Sequence, residues 1–585
     1  MESKSPFRGE TAPDDERAPN AAAGKPIVWS IAGTDSGGGA GLAADLRVAD
    51  AFGVHLCPVV AAVTAQNSVG VARIEPVSAE LLDAQLATLA RDMPPRAVKT
   101  GLLGSVAAVE TVARWIDRLR AQPPAGEGTD GRVVALVIDP VLGASTGARF
   151  ADAAVLQAYR DLLLPRATLI TPNRAEAAAL LGAASPSVQA VPAMARALRV
   201  GVGADGLGAD AVCITGGDSP DADGMAIDWI ETAHAQGWLA LPRIATGNRH
   251  GTGCTFAGGA AAALALGFVA ADALVLAKMA TAAALRHGYA AGAGAGPVHA
   301  RPGFACDPQD LPRMSFGEAP RFAPIEAVPS GTPTEDFGLY GIVSALEPLQ
   351  GALAAGIRTL QLRVKAPPQA DARWQEDLRR LAAAAIAACR DAGATLFLND
   401  HWRLAMALGA DGVHLGQEDL LAMGESDREE LARSGIALGV SSHSLWELAR
   451  ARSLAPRYIA CGPVWPTTTK DMPWRPQGPA NLAWWCAMAG RPVTAIGGIL
   501  DPEDVFEAAR CGAAGVCVVR ALGTDPGVLV PPLQTALVRG RHAVAAVVPA
   551  MPSPSLRPRQ FPGGAPPGHL IRDRQQAPRS APKPA

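Results

Sequence analysis

The chain has 585 residues, 49% hydrophobic and 18% charged, with nine cysteines and a formal net charge of -3. That length exceeds a single core and sets an expectation of about three to four domains. The absence of an uninterrupted apolar run of about 18 residues excludes a transmembrane helix, and the lack of a basic block in the folded part excludes nucleic acid as an obvious partner. Scattered cysteines without Cys/His pairing argue against a zinc site or disulfide framework. With no apolar signal core at the N-terminus, a soluble chain in a reducing cytoplasm is expected.

Residues 1–25 are rich in Pro, Ala, Asp and Glu and read as a disordered tail. Residues 26–300 read as a first folded unit, 301–336 as a Pro-rich linker, 337–545 as a second folded unit, and 546–585 as another disordered tail. The first unit opens with the apolar strand Ile27–Ala32, which runs into Gly33-Thr34-Asp35-Ser36-Gly37-Gly38-Gly39-Ala40-Gly41 and then a helix carrying Asp45. Further strands are expected at 54–63, 97–100, 133–138, 168–171 and 211–215, with helices between them. Strands alternating with helices imply an α/β sandwich around a mostly parallel sheet, with ligands at the carboxyl ends of its strands.

Polar residues gather at those ends: Gln66, Asp139, Asn173 with Glu176, and Thr215-Gly216-Gly217. Asp139, Asn173 and Glu176 suit a Mg2+ ion bridged to phosphate, because a hard cation takes oxygen ligands. Asn173 and Glu176 equally suit a helix capping box. Later comes His250-Gly251-Thr252-Gly253-Cys254, entering a long Ala-rich helix. Its glycines permit close backbone approach, and the free N–H groups of a helix start attract anions such as phosphate. Cys254 lies in that first turn, where the helix dipole is expected to favour thiolate.

Taken together, Ala32-Gly33-Thr34-Asp35, Gly39-Ala40-Gly41, Ala44-Asp45-Leu46, Ala65-Gln66-Asn67, Thr171-Pro172-Asn173-x-x-Glu176 and the His250 to Cys254 motif resemble the hydroxymethylpyrimidine/phosphomethylpyrimidine kinases, which are ribokinase-like. The resemblance implies ATP-dependent phosphorylation of 4-amino-5-hydroxymethyl-2-methylpyrimidine and then of its monophosphate. It further implies that Asp45 and Gln66 hold the aminopyrimidine with Gly33 against its ring. Gly251, Gly253 and Cys254 would form the hole for the transferred phosphoryl group, Cys254 standing where related sugar kinases place an aspartate base. Asn173, Glu176, Thr215 and Gly217 fall on the ATP side. Family members often carry Lys where Thr215 stands and Met where Leu102 stands, so the first difference removes a cation near the nucleotide.

From Phe337 onward, eight short apolar strands alternate with helices: 338–343, 359–364, 395–399, 412–416, 437–441, 458–462, 493–497 and 515–519. Eight such units in about 200 residues point to a (β/α)8 TIM barrel, whose chemistry sits where the strands end. Found there are Gln361, Arg363 and Lys365; Asn399 and Asp400; Asp419; Ser441; Thr467, Thr469 and Lys470; and Gly498. Cations and hydroxyls suit a phosphate-rich ligand, and Asp400 with Asp419 suits Mg2+, so a diphosphate held with Mg2+ is expected. His414 and His443 are read as structural.

The same half is similar to thiamine-phosphate synthase, through Leu360-Gln361-Leu362-Arg363-x-Lys365, Asn399-Asp400-x-Trp402-Arg403-Leu404, Gly412-Val413-His414-Leu415-Gly416-Gln417-Glu418-Asp419, Pro466-Thr467-Thr468-Thr469-Lys470 and Ala495-Ile496-Gly497-Gly498-Ile499. That likeness implies joining of hydroxymethylpyrimidine diphosphate to a thiazole phosphate with release of pyrophosphate. Arg363 and Lys470 would be catalytic, neutralising the leaving group with Lys365. Arg520 stands where the family usually has Ser. The implied chain is a kinase fused ahead of a synthase, acting on small molecules, its oligomeric state open. The alternative is a pyridoxine-type kinase fused to a thiazole tautomerase-like or precursor-binding barrel.

Overall fold

In the computed structural model, residues 24–121, 133–143, 150–183, 187–200, 208–217, 224–322, 335–467 and 473–556 are described. The first half is built on a ten-stranded sheet: β1 (Ile27–Gly33), β2 (His55–Gln66), β3 (Val71–Pro76), β4 (Ala97–Thr100), β5 (Ala135–Ile138), β6 (Leu169–Ile170), β7 (Val212–Ile214), β8 (Met225–Glu231), β9 (Gln236–Pro242) and β10 (Arg313–Met314). Their spatial order is β10-β9-β8-β7-β6-β5-β4-β1-β2-β3. From β2 to β7 neighbours are parallel, and β3, β8, β9 and β10 add antiparallel edges.

The parallel centre is apolar because helices cover both faces. The run Ile27–Gly33 is buried from Val28 onward. Strand order reverses at β1, flanked by β2 on one side and β4 on the other, which opens the crevice expected at a topological switch point. Helix Thr252–Leu266 and helix Ala270–Arg286 pack together beneath the sheet, and both are buried over most of their surface. A helix apolar all round belongs in a core. Gly258 and Gly259 let the first of them lie close to Val48 and Phe52, side chains of helix Gly41–Ala51 and its end.

The second half is a closed barrel of β11 (Gly338–Val343), β12 (Thr359–Leu362), β13 (Thr395–Asn399), β14 (Gly412–Leu415), β15 (Ala437–Ser442), β16 (Tyr458–Cys461), β17 (Val493–Ala495) and β18 (Gly515–Val518). All neighbours are parallel, and β11 pairs β18 to close it. Phe337, Tyr340, Phe397 and Tyr458 fill its interior. Gly412 and Gly439 leave room for them: a methyl on Gly439 would lie 2.3 Å from the Tyr458 ring.

Two stretches read as linker and tail are ordered in part. Residues 301–322 contribute β10, and Ser315 bonds to Trp238 on β9. Leu556 bridges to Trp474, and Ser553 bonds to Asn481. Apolar side chains among the prolines, Phe304, Leu311 and Met314, cause the first of these by burying themselves. Among the described residues no helix is long and apolar enough to cross a membrane.

Overpacking a barrel interior costs about 1–3 kcal/mol. Gly439→Ala should therefore lower the temperature at which the barrel's activity is lost by several degrees, and an unchanged midpoint would mean the Tyr458 ring is free to shift.

Candidate active sites

In the first half, two helix starts converge on the end of β1. Gly251 adopts φ 86, and a methyl there would lie 2.1 Å from the Gly39 carbonyl oxygen. The Gly-rich loop and the anion loop thus touch backbone to backbone. Asp35 ties them: it accepts from the N–H groups of Gly37, Gly39 and Ala40, and its Oδ2 lies 2.8 Å from His250 Nε2. Burial opposes its charge, but His250 and the three N–H groups hold its carboxyl below the ordinary range. His250 also lies 3.3 Å from the Gln66 amide. Gly253 is exposed with open space beside its Cα, so the helix start faces a void. Gly33 packs on Leu102.

Behind this lies a buried charge cluster whose lysine the sequence reading passed over. Lys99, 1% exposed on β4, places its Nζ 3.0 Å from Asp45 Oδ2 and 3.5 Å from Asp139 Oδ2. Ser30 Oγ donates to the same Asp45 oxygen at 2.6 Å. The other oxygen, Asp45 Oδ1, is buried without a hydrogen-bond partner. Burial works against the charge on Lys99, yet Asp45, Cys254 and Asp139 raise it above the ordinary lysine range. Burial chiefly raises Asp139. That residue, expected as a metal ligand, stands 3.5 Å from the Lys99 ammonium.

Cys254 corrects a second expectation. Burial pushes its thiol up to about 12; Lys99 and the Gly41 N–H pull down, while Asp139 and Asp45 push up. The helix start is outweighed, and at neutral pH the group is a thiol. Asn173 and Glu176 form a reciprocal capping box, each side chain taking the other's N–H at 2.9 Å. Thr215 bridges to Asn173. The turn after it is anchored by Asp228, which takes the Gly216 N–H at 2.9 Å and pairs with the buried Lys278 at 2.6 Å. Arg243 donates to the Gly217 carbonyl, placing a cation beside a turn whose own lysine position holds Thr215.

In the barrel, a polar chain runs inward from the mouth. Ser441 Oγ lies 2.9 Å from His414 Nε2, His414 Nδ1 2.8 Å from Tyr458 Oη, and Tyr458 2.8 Å from Tyr340. The Gln361 amide then donates to Tyr340 at 3.3 Å. Burial lowers His414 to about 4, helped by the neighbouring charges of Arg363 and His443, which favours the neutral ring. His443 is held by Glu447 at 2.8 Å.

Asp400 adopts φ 65 at the end of β13. Burial and then Asp419 raise its carboxyl, with His401 and Lys365 acting the other way. Asp419 also accepts from the Gly416 N–H at 3.0 Å. Two carboxylates in mutual contact fit a divalent cation completed by phosphate oxygens and water. Among the described residues no group of three or more His, Cys, Asp or Glu is arranged to hold a metal by itself. Asn399 is buried beside them. Gly498, at φ 77, allows the backbone of Trp465 to lie against it, packing the loops after β16 and β17 together. Thr467 ends the described part of the first of these, and Thr469 and Lys470 lie outside the described residues. Arg520 is exposed and opens a short 3-10 turn.

The family described as phosphomethylpyrimidine kinase matches residues 35–299, and that described as thiamine monophosphate synthase matches residues 339–522. A probable thiamine biosynthetic bifunctional enzyme of Oryza sativa subsp. japonica, described as chloroplastic, is 35% identical over 86% of this chain and 87% of its own. A hydroxymethylpyrimidine/phosphomethylpyrimidine kinase of Synechococcus elongatus is 39% identical over 47% of this chain and 96% of its own. A thiamine-phosphate synthase of Serratia proteamaculans is 45% identical over 32% of this chain and 85% of its own. With both crevices and one continuous relative in agreement, the chain belongs to the bifunctional thiamine biosynthetic enzymes, a hydroxymethylpyrimidine/phosphomethylpyrimidine kinase joined to a thiamine-phosphate synthase.

Proposed function

We propose that the kinase half seats the aminopyrimidine on Asp45 and Gln66 and transfers the γ-phosphoryl group of ATP at the start of helix Thr252–Leu266. The observation carrying this is Asp45 Oδ1, a buried carboxylate oxygen with no partner. Leaving such an atom unpaired costs about 1–3 kcal/mol, which an amino group of the ligand recovers. Lys99 and Ser30 hold the other oxygen and so fix the carboxylate. The hydroxymethyl oxygen attacks the γ-phosphorus, the bond to ADP breaks, and the N–H groups of Gly253 and Cys254 receive the charge on the transferred group. A loose phosphoryl-transfer transition state needs little deprotonation of the alcohol beforehand. The Cys254 thiol therefore serves as a wall and weak donor, and the alcohol proton leaves on the product phosphate or to water.

In the barrel, Arg363, Lys365 and Lys470 neutralise the diphosphate, and Asn399, Ser441, Thr467, Thr469 and the backbone at Gly498 orient it. Asp400 and Asp419 would hold Mg2+, which supplies further charge neutralisation on the diphosphate. The methylene–oxygen bond breaks with its electron pair leaving on pyrophosphate. The electron-rich aminopyrimidine stabilises the cation, and the thiazole nitrogen lone pair forms the new carbon–nitrogen bond. No strong base is required, consistent with a neutral, internally bonded His414.

Three outcomes test these roles. Iodoacetamide should label Cys254 slowly at pH 7, its rate rising about tenfold per pH unit toward pH 11; a plateau below pH 9 would reveal a thiolate. Lys99→Met strands two buried carboxylates, a loss of about 3–5 kcal/mol. Phosphorylation should fall about 100-fold or more while coupling of supplied diphosphate persists, and an unaffected kinase would refute the role of the Lys99–Asp45 pair. Asp400→Asn should raise the Mg2+ needed for half-maximal synthase rate about tenfold or more and leave the kinase's requirement alone; an unshifted Mg2+ curve would remove Asp400 from the metal site.

A further inference from the structure

The two halves meet across a built face remote from the kinase crevice. Asp272, 1% exposed in the first turn of kinase helix Ala270–Arg286, does not serve its own helix alone. Its Oδ1 accepts from the N–H groups of Leu445 at 2.8 Å and Trp446 at 3.2 Å, the first turn of barrel helix Leu445–Arg452. Ser444 caps the same helix through the Glu447 N–H. One domain's carboxyl thus satisfies donors that the other domain's helix leaves orphaned.

The contacts continue beyond that point. Arg452 donates to the carbonyls of Leu311 and of Pro308, the latter at 3.1 Å, and Arg450 reaches the Met314 sulfur at 3.7 Å. Trp484 Nε1 donates to the Ala305 carbonyl at 2.8 Å in a buried setting. Phe304, Ala305, Leu311 and Met314 share one apolar cluster with Trp446 and Trp484 of the barrel. Arg450 and Arg428 both lie over the Phe316 ring.

Met314 belongs to β10, the edge strand of the kinase sheet, and helix Leu445–Arg452 packs against that strand. A sheet edge left bare invites pairing with other chains, and here the barrel covers it. Separation would expose that edge, four apolar kinase side chains and the N–H groups of a helix start at once. The exposed rim pairs of Arg321 with Glu425 and Glu429 add little by comparison.

We propose that the two catalytic halves form a permanent intramolecular complex across this face, so that they stay together after the chain between them is cut. The face is clear of the phosphoryl hole. Helix Thr252–Leu266 has 15 residues, about 22 Å at 1.5 Å each, and Asp272 follows its far end. Docking therefore fixes the barrel on the kinase without closing the kinase crevice.

The test is a full-length chain carrying a protease recognition sequence within residues 323–334, cut after purification and run on a sizing column without denaturant. The two pieces should elute together at the position of the uncut chain, and separate elution at micromolar concentration overturns the proposal. Asp272→Ala in the cut protein should raise the dissociation constant of the pieces tenfold or more, with phosphorylation within twofold of wild type. Asp272→Asn, which keeps an acceptor oxygen, should hold them nearly as tightly as wild type. Arg452→Ala gives a second reading from the opposite side of the face. If neither alanine variant weakens the cut complex, this face is not what holds the halves.

Discussion

A lysine that reaches no water organises the kinase half. Lys99 stands between Asp45 and Asp139 on neighbouring elements of the crevice, with the Cys254 thiol beside them. A buried ion pair is a poor way to gain stability, since apolar residues of similar volume are often as good or better. What this pair does provide is direction. Lys99 and Ser30 occupy one oxygen of Asp45 and leave the other buried and unpaired, close to Gly258 of helix Thr252–Leu266. The same cluster sets the state of Cys254, because two carboxylates and burial outweigh a helix start and a single lysine. The placing of the Asp45 carboxylate and the state of the Cys254 thiol both depend on the charges gathered around Lys99.

The barrel solves the reverse problem. Its interior must carry a row of polar groups to the mouth through an aromatic core. The chain from Ser441 through His414, Tyr458 and Tyr340 to Gln361 does so by pairing each group with the next. Such networks are favourable only when every member is satisfied. His414, fixed between a hydroxyl and a phenol beside Arg363, is held in its neutral form. The charged groups stand beyond the strand ends instead: Arg363 and Lys365 after β12, Asp400 after β13, and Asp419 in helix Gln417–Ala422.

Much of this was legible in the residues. The barrel strands lie within a residue or two of their expected positions, because short apolar runs between helices can hardly be anything else once they recur eight times. The kinase sheet was harder. Its parallel centre was visible, but β3, β8, β9 and β10 were missed: they are edge or near-edge strands, and β10 is two residues in a Pro-rich stretch. Lys99 was hidden within a four-residue apolar strand, where one lysine resembles an exception more than a ligand. Asn173 and Glu176 spelled both a capping box and a metal pair, and the capping box is formed. For Cys254, position on the helix was readable from sequence, but the carboxylates beside it came from β5 and helix Gly41–Ala51 and required the fold.

The central claim is that one chain makes a diphosphate in its first half and spends it in its second, through separate sets of residues. The direct measurement supplies purified protein with hydroxymethylpyrimidine, ATP, Mg2+ and thiazole phosphate and follows thiamine phosphate and pyrophosphate together. The account predicts equal amounts of the two, with ATP omission blocking both until hydroxymethylpyrimidine diphosphate is added. No thiamine phosphate from the full mixture, or continued block when the diphosphate is supplied, would contradict it.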